Sequence, residues 1–122
     1  MRMGVIYLTK VANLTRGTSL GENVERANTF IARLRGLIGR RSLFPGQGLI
    51  LEPEQSIHSF FMRFPFDAVF VDKSGRVVRL IERMRPNRLG PYVRHARLVV
   101  ELPAGTIASS HTAVGDKLSF DG

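Results

Sequence analysis

No cysteine occurs in the chain, which excludes disulfides, thiolate-held metals and cysteine nucleophiles. Tryptophan is absent as well, so only Tyr7 and Tyr92 remain as exposed platforms on which bases could stack. Histidine is scarce: His58, His95 and His111 stand far apart, without the HxH or HExxH spacing that pre-organises a metal site. Met62 could join His58 as a sulfur ligand for copper, but core filling is the simpler role. No metal and no cofactor is therefore assigned. There is no run of about 18 apolar residues to form a membrane helix, and Lys10 breaks the apolar N-terminal stretch before a secretory segment forms. These absences read as a cytoplasmic protein without a transmembrane segment. Acidic residues are few, 10 against 18 Lys and Arg, giving a formal net charge of +8. Such a surface attracts phosphate, nucleic acid or anionic lipid at long range. Lysine occurs only at positions 10, 73 and 117, so the positive charge is mostly guanidinium, which favours bidentate contacts with phosphate or carboxylate.

What is present is enough for one compact domain spanning residues 1–122, with 43% hydrophobic residues to build a core. A first strand is expected at about Val5 to Asn13, followed by a loop marked by Gly17 and Gly21. In NTFIARLRGLIGRRS, Phe30, Leu34, Leu37 and Ile38 recur at helical spacing, which predicts an amphipathic helix over about residues 28–39. Arg33, Arg35, Arg40 and Arg41 occupy its other face and are candidate contacts for phosphate or nucleic acid. From Gly48 the period becomes that of strands: GLILEP, SIHSFFMRF, DAVFVDKSGRVVRLIERM, HARLVVELP and KLSFD. Lys73-Ser74-Gly75 predicts a hairpin with Gly75 at positive φ. Pro86, Asn87, Gly90 and Pro91 make a rigid loop flanked by Arg83, Arg85, Arg88 and Arg94. A short helical turn is expected near 106–111. The fold class is mainly β, an antiparallel β-sandwich with one helix packed against it. Its edge strands and positive surface suit a monomer or a dimer.

The segment IHSFFMRFPFD, residues 57–67, holds the candidate site. Treated as an extended strand, it places His58, Phe60 and Met62 on one face and Ser59, Phe61 and Arg63 on the other. Asp67 follows Pro65, where a turn would return its carboxylate toward Arg63 or His58. His58 with Asp67 could serve as an acid/base pair. Ser59 is a poor nucleophile, because a serine beside a histidine in a strand points away from it. The turn at Leu102-Pro103-Ala104-Gly105-Thr106 offers backbone N–H groups suited to an anion.

Several motifs in order, HSFFMRFPFDAVFVDKSGRVV, RPNR, VVELPAGT and VGDKL, preceded by RLRGLIGRRSL and GLIL, resemble the prokaryotic domain-of-unknown-function family 192 over about residues 24–120. The match is to a shorter branch, with MRFP in the central motif. The resemblance implies a compact, jelly-roll-like β fold and no assigned activity. Carried over by position, the recurring polar residues are His58, Ser59, Met62, Arg63, Asp67, Asp72, Arg85, Glu101 and Asp116; Asp67, Glu101 and Asp116 are read as a structural polar brace. The leading expectation is a non-catalytic binding module for a small anionic ligand or acidic partner. Its candidate ligand-binding residues are His58, Ser59, Arg63, Asp67, Arg85 and Arg88. The alternatives are a nucleic-acid-associated basic protein and an enzyme using His58 and Asp67.

Overall fold

The computed structural model describes residues 8–27 and 40–121. The helix expected over 28–39, with Arg33 and Arg35, lies outside the described residues. The fold is mainly β. Seven strands, β1 (Leu8–Asn13), β2 (Thr18–Ala27), β3 (Gln47–Leu51), β4 (Phe66–Val71), β5 (Val77–Met84), β6 (Leu98–Pro103) and β7 (Leu118–Asp121), join in one sheet of order β5-β4-β6-β3-β2-β1-β7. The helical turn expected near 106–111 is present as α1 (Thr106–Ser109). The loop expected between Gly17 and Gly21 is shorter: the chain turns at Leu14 to Gly17, and Thr18 already pairs with Asn13. All pairings are antiparallel except β2 with β3.

The sheet curls until its two edges meet at one end. Arg76 and Lys117 form a bridge between them, Val77 N–H donates to the Asp116 carbonyl at 2.9 Å, and Leu118 N–H donates to the Gly75 carbonyl at 2.9 Å. This closure satisfies edge groups that would otherwise template pairing with another chain. One face packs Val11, Val24, Ile50, Val69, Val100 and Leu102 into an inner core, sealed by Ile107 of α1. The other face gathers Leu49, Leu51, Phe66, Phe70 and Val99 beneath Ile57, Met62 and Ala96 from two overlying loops. The central strands β4 and β6 are therefore covered on both sides. Phe66–Val71 and Leu98–Leu102 are buried throughout, which is why those stretches are near-continuous apolar runs rather than alternating ones.

The predicted hairpin joins β4 to β5, and Gly75 has φ 86°. Asp72 shapes the turn by accepting hydrogen bonds from the N–H groups of Ser74 and Arg76, each at 2.9 Å. The expected strand SIHSFFMRF is not one. His58 makes a single bridge to Leu89, the chain turns at Phe60 and Phe61, and it bends at Arg63 and Phe64 before β4 begins. Phe61 has φ 64°, and one left-handed residue ends the strict alternation of side chains on which the two-faced reading depended.

Candidate functional site

The two overlying loops, one carrying HSFFM and the other RPNR, are tied together residue by residue. Ser59 is fully buried at their crossing. Its hydroxyl donates to the Arg85 carbonyl and accepts from the Arg88 N–H at 2.8 Å, while its backbone N–H donates to the Arg88 carbonyl at 2.8 Å. The Ser59 carbonyl accepts from Asn87 N–H at 2.7 Å, and the Asn87 side-chain oxygen accepts from Phe61 N–H at 3.0 Å. At Gly90 a Cβ would stand 2.7 Å from the Ile57 carbonyl oxygen, so only glycine permits this approach. His58 is half-buried, accepts from Phe60 N–H through Nδ1 at 3.2 Å, and lies 5.4 Å from the Phe60 ring.

Beside this crossing lies a cleft of about 400 Å³ between the exposed edge of β5 and the loop that follows it. Arg79, Arg83, Arg85 and Arg88 line it, with Glu82 as the single carboxylate among its lining residues. The position of Arg83 comes from a β-bulge. Phe66 pairs with Met84 and Ala68 with Ile81, so Glu82 and Arg83 together stand opposite Asp67. Arg83 has φ 51°, and its N–H donates to Asp67 Oδ1 at 2.9 Å. Asp67 Oδ2 accepts from Ile107 N–H at 2.8 Å and Gly105 N–H at 3.2 Å. The buried carboxylate thus joins the bulge of β5 to the start of α1.

This geometry corrects the sequence reading. Asp67 turns neither to Arg63 nor to His58; as part of β4 it faces backbone amides on the inner side, whereas His58 belongs to the outer loop. The hydrogen bonds of Asp67 go to backbone N–H groups and not to His58, and none of His58, Arg63 and Asp67 lines the cleft beside β5. Arg63 is exposed at the bend. The anion-suited turn at 102–106 holds the chain's own carboxylate, that of Asp67. Of the residues expected to bind a ligand, Arg85 and Arg88 line the cleft and Ser59 anchors their backbone from beneath. Sequence reasoning missed Arg79 and placed Arg83 only as a flank of the loop. The i, i+2 spacing of Arg83 and Arg85 was a usable signal, but the bulge at Arg83 has no local signature.

Asp116 is buried, and its Oδ2 accepts from Arg16 Nε at 3.0 Å, Asn13 Nδ2 at 2.9 Å and Ala113 N–H at 2.9 Å. The hydrogen bonds from Arg16 and then Asn13 lower its pKa to about 2. Glu101 is buried among the β6 neighbours Leu49 and Ala68, and among the described residues its Oε1 has no hydrogen-bond partner. Burial pushes its carboxyl up to about 8, with the charge of nearby Glu54 adding to the effect. Arg40 is paired with Glu25, and Arg41 is exposed. Among the described residues no cluster of three or more His, Cys, Asp or Glu could hold a metal ion, and no helix is long and apolar enough to cross a membrane.

The model of the domain-of-unknown-function family DUF192, described as Uncharacterized ACR, matches residues 11–120. The chain belongs to the DUF192 family. The match reaches further than the motifs alone and takes in the second half of β1 and all of β2. Similar to this DUF192 chain is a UPF0127 protein of Thermococcus sibiricus, 34% identical over 113 residues, covering 89% of this chain and 73% of that protein. A UPF0127 protein of Pyrococcus furiosus is 34% identical over 115 residues, covering 89% and 96%. Among solved structures, a protein of unknown function from Novosphingobium aromaticivorans superposes with a TM-score of 0.80 at 21% identity, covering 93% of this chain and 84% of that one. A Sinorhizobium meliloti protein provisionally described as a transcription regulator has a TM-score of 0.82 at 21% identity, covering 98% and 97%. At such identity the likeness shows a shared fold alone. DUF192 membership establishes an uncharacterised family and leaves activity open.

Proposed function

We propose that this DUF192 protein is a non-catalytic binding module for an anionic ligand or acidic partner, and that the cleft beside β5 is its site. The observation that carries this reading is that Arg79, Arg83, Arg85 and Arg88 all line one cleft. Among the described residues the ion pairs engage Arg16, Arg26, Arg40 and Arg97, and none of the four cleft arginines. With Glu82 as the one carboxylate among the lining residues, the cleft keeps an excess of guanidinium charge, which a bound anion offsets while accepting charge-assisted hydrogen bonds. Three of the four owe their placement to backbone constraints, Arg83 to the bulge at Asp67 and Arg85 and Arg88 to the Ser59 crossing. Such preorganisation reduces the entropy lost on binding. The reading requires no reacting group, in keeping with the separation of His58 from Asp67.

Isothermal titration with inorganic pyrophosphate at low ionic strength tests it. Wild-type protein is expected to bind, and Arg83→Ala or Arg85→Ala each to weaken binding by about tenfold, as loss of one charge-assisted contact requires. Absence of pyrophosphate binding, or binding by both variants as tight as that of the wild type, would overturn the reading. The provisional description of the Sinorhizobium protein favours a second reading, in which nucleic acid is the polyanion. That reading predicts a gel shift that fades steeply with salt and is weakened by Arg41→Ala rather than by the cleft variants.

A further inference from the structure

On the basis of the cleft as an anion site, we propose that the crossing of the two loops is a membrane-docking tip. Phe60, Phe61, Leu89 and Tyr92 enter the interface of an anionic bilayer, and Arg85 and Arg88 hold lipid phosphates. Isolated exposed apolar residues are ordinary on a protein surface. Here four of the eight large exposed hydrophobic residues among those described occur on two loops that are bonded to each other. Phe61 and Leu89 are each 78% exposed, Tyr92 68% and Phe60 41%.

Local backbone geometry keeps them outside. Phe61 and Asn87 both adopt left-handed φ, 64° and 61°, a conformation that costs free energy for residues other than glycine. They are held there by each other, through Phe61 N–H and the Asn87 side-chain oxygen, and by the buried Ser59. In this turn Phe61 stands in water.

Charge complementarity selects the occupant. Arg63, Arg85 and Arg88 are exposed around these apolar residues, and the whole chain carries a formal +8. Arginine stems lie along apolar surface while their heads reach phosphate, and tyrosine favours the headgroup level. A bilayer with acidic lipids meets both demands over the same few ångströms, with apolar chains below and phosphates above. An acidic protein would meet the charge, but a peptide segment is usually gripped in a groove, whereas these residues stand out on turns.

Co-sedimentation with phosphatidylcholine vesicles, with and without one-third phosphatidylglycerol, provides the test. The wild type is expected to pellet with the phosphatidylglycerol vesicles and not with phosphatidylcholine alone. Phe60→Ser/Phe61→Ser, altered only at exposed positions, is expected to lose vesicle binding by tenfold or more while its pyrophosphate titration is unchanged. If the double variant pellets like the wild type, the attraction is purely electrostatic and the docking tip is overturned. If pyrophosphate binds and no vesicle does, the tip is overturned and the cleft stands. If neither binds, both fall together.

Discussion

Ser59 illustrates how far residue type alone leads. A serine beside a histidine invites thoughts of a nucleophile, yet this hydroxyl is fully buried and spends its proton on the Arg85 carbonyl while accepting from Arg88 N–H. Replacing it with alanine leaves the Arg85 carbonyl and the Arg88 N–H, both part-buried, without that partner, at a cost of about 1 kcal/mol. Ser59→Ala is therefore expected to lower the melting temperature by about 5 °C and to speed amide exchange at Arg88. Unchanged exchange there would mean that the backbone bonds hold the crossing without the hydroxyl. Ser59, Arg85 and Arg88 could be nominated from the sequence as chemically notable. Their joint placement could not, because it depends on contacts between positions 26 to 29 residues apart and on a left-handed Phe61 that interrupts the alternation.

At the scale of elements, the strands from β3 onward and the Gly75 hairpin were readable, since apolar runs bounded by glycine and proline report them directly. The parallel pairing of β2 with β3 was not, because register between distant strands leaves no periodic trace. Asp67 shows the same limit. Its burial in an apolar strand signalled a need for partners, but nothing local indicated that these would be the N–H groups of Arg83, Gly105 and Ile107. One carboxylate thereby sets both the bulge in β5 and the start of α1. The conservative change Asp67→Asn must turn an NH₂ group toward one of those N–H donors, whichever way the amide is flipped. The expected loss is about 2–3 kcal/mol, with faster exchange at Arg83 or Ile107. Because the bulge sets the backbone of Arg83, one of the residues that line the cleft, the variant should also bind pyrophosphate more weakly. A variant that loses stability but keeps full affinity would show that Arg83 is placed by something other than the bulge.

For the molecule as a whole, two buried carboxylates with opposite shifts define the dependence of stability on pH. Asp116 closes the seam between the sheet edges, near the bond from Val77 N–H to its own carbonyl, and its pKa is lowered to about 2 in the fold from the ordinary 3.8. Its contribution is fully present above the unfolded value and is lost as the pH falls from about 4 through 2. Glu101 behaves in the reverse sense. Burial pushes its pKa up to about 8 from the ordinary 4.5, so the native state holds a proton that the unfolded chain releases. Stability therefore declines as the pH rises from 4.5 toward 8, and levels off once the buried carboxyl itself ionises. Together the two groups place the optimum of their combined contribution near pH 4 to 5, below the usual range for globular proteins. The variants separate the two limbs. Glu101→Gln is uncharged at every pH and should melt higher than the wild type at pH 8, by about 5 °C or more, with the advantage vanishing near pH 4.5. Asp116→Asn should melt lower at pH 7 and show a flatter decline between pH 4 and 2. Melting curves from pH 2 to 9 for the three proteins decide the matter. A wild-type stability that rises between pH 5 and 8, or a Glu101→Gln profile parallel to it, would mean that the carboxyl of Glu101 is already ionised within the fold.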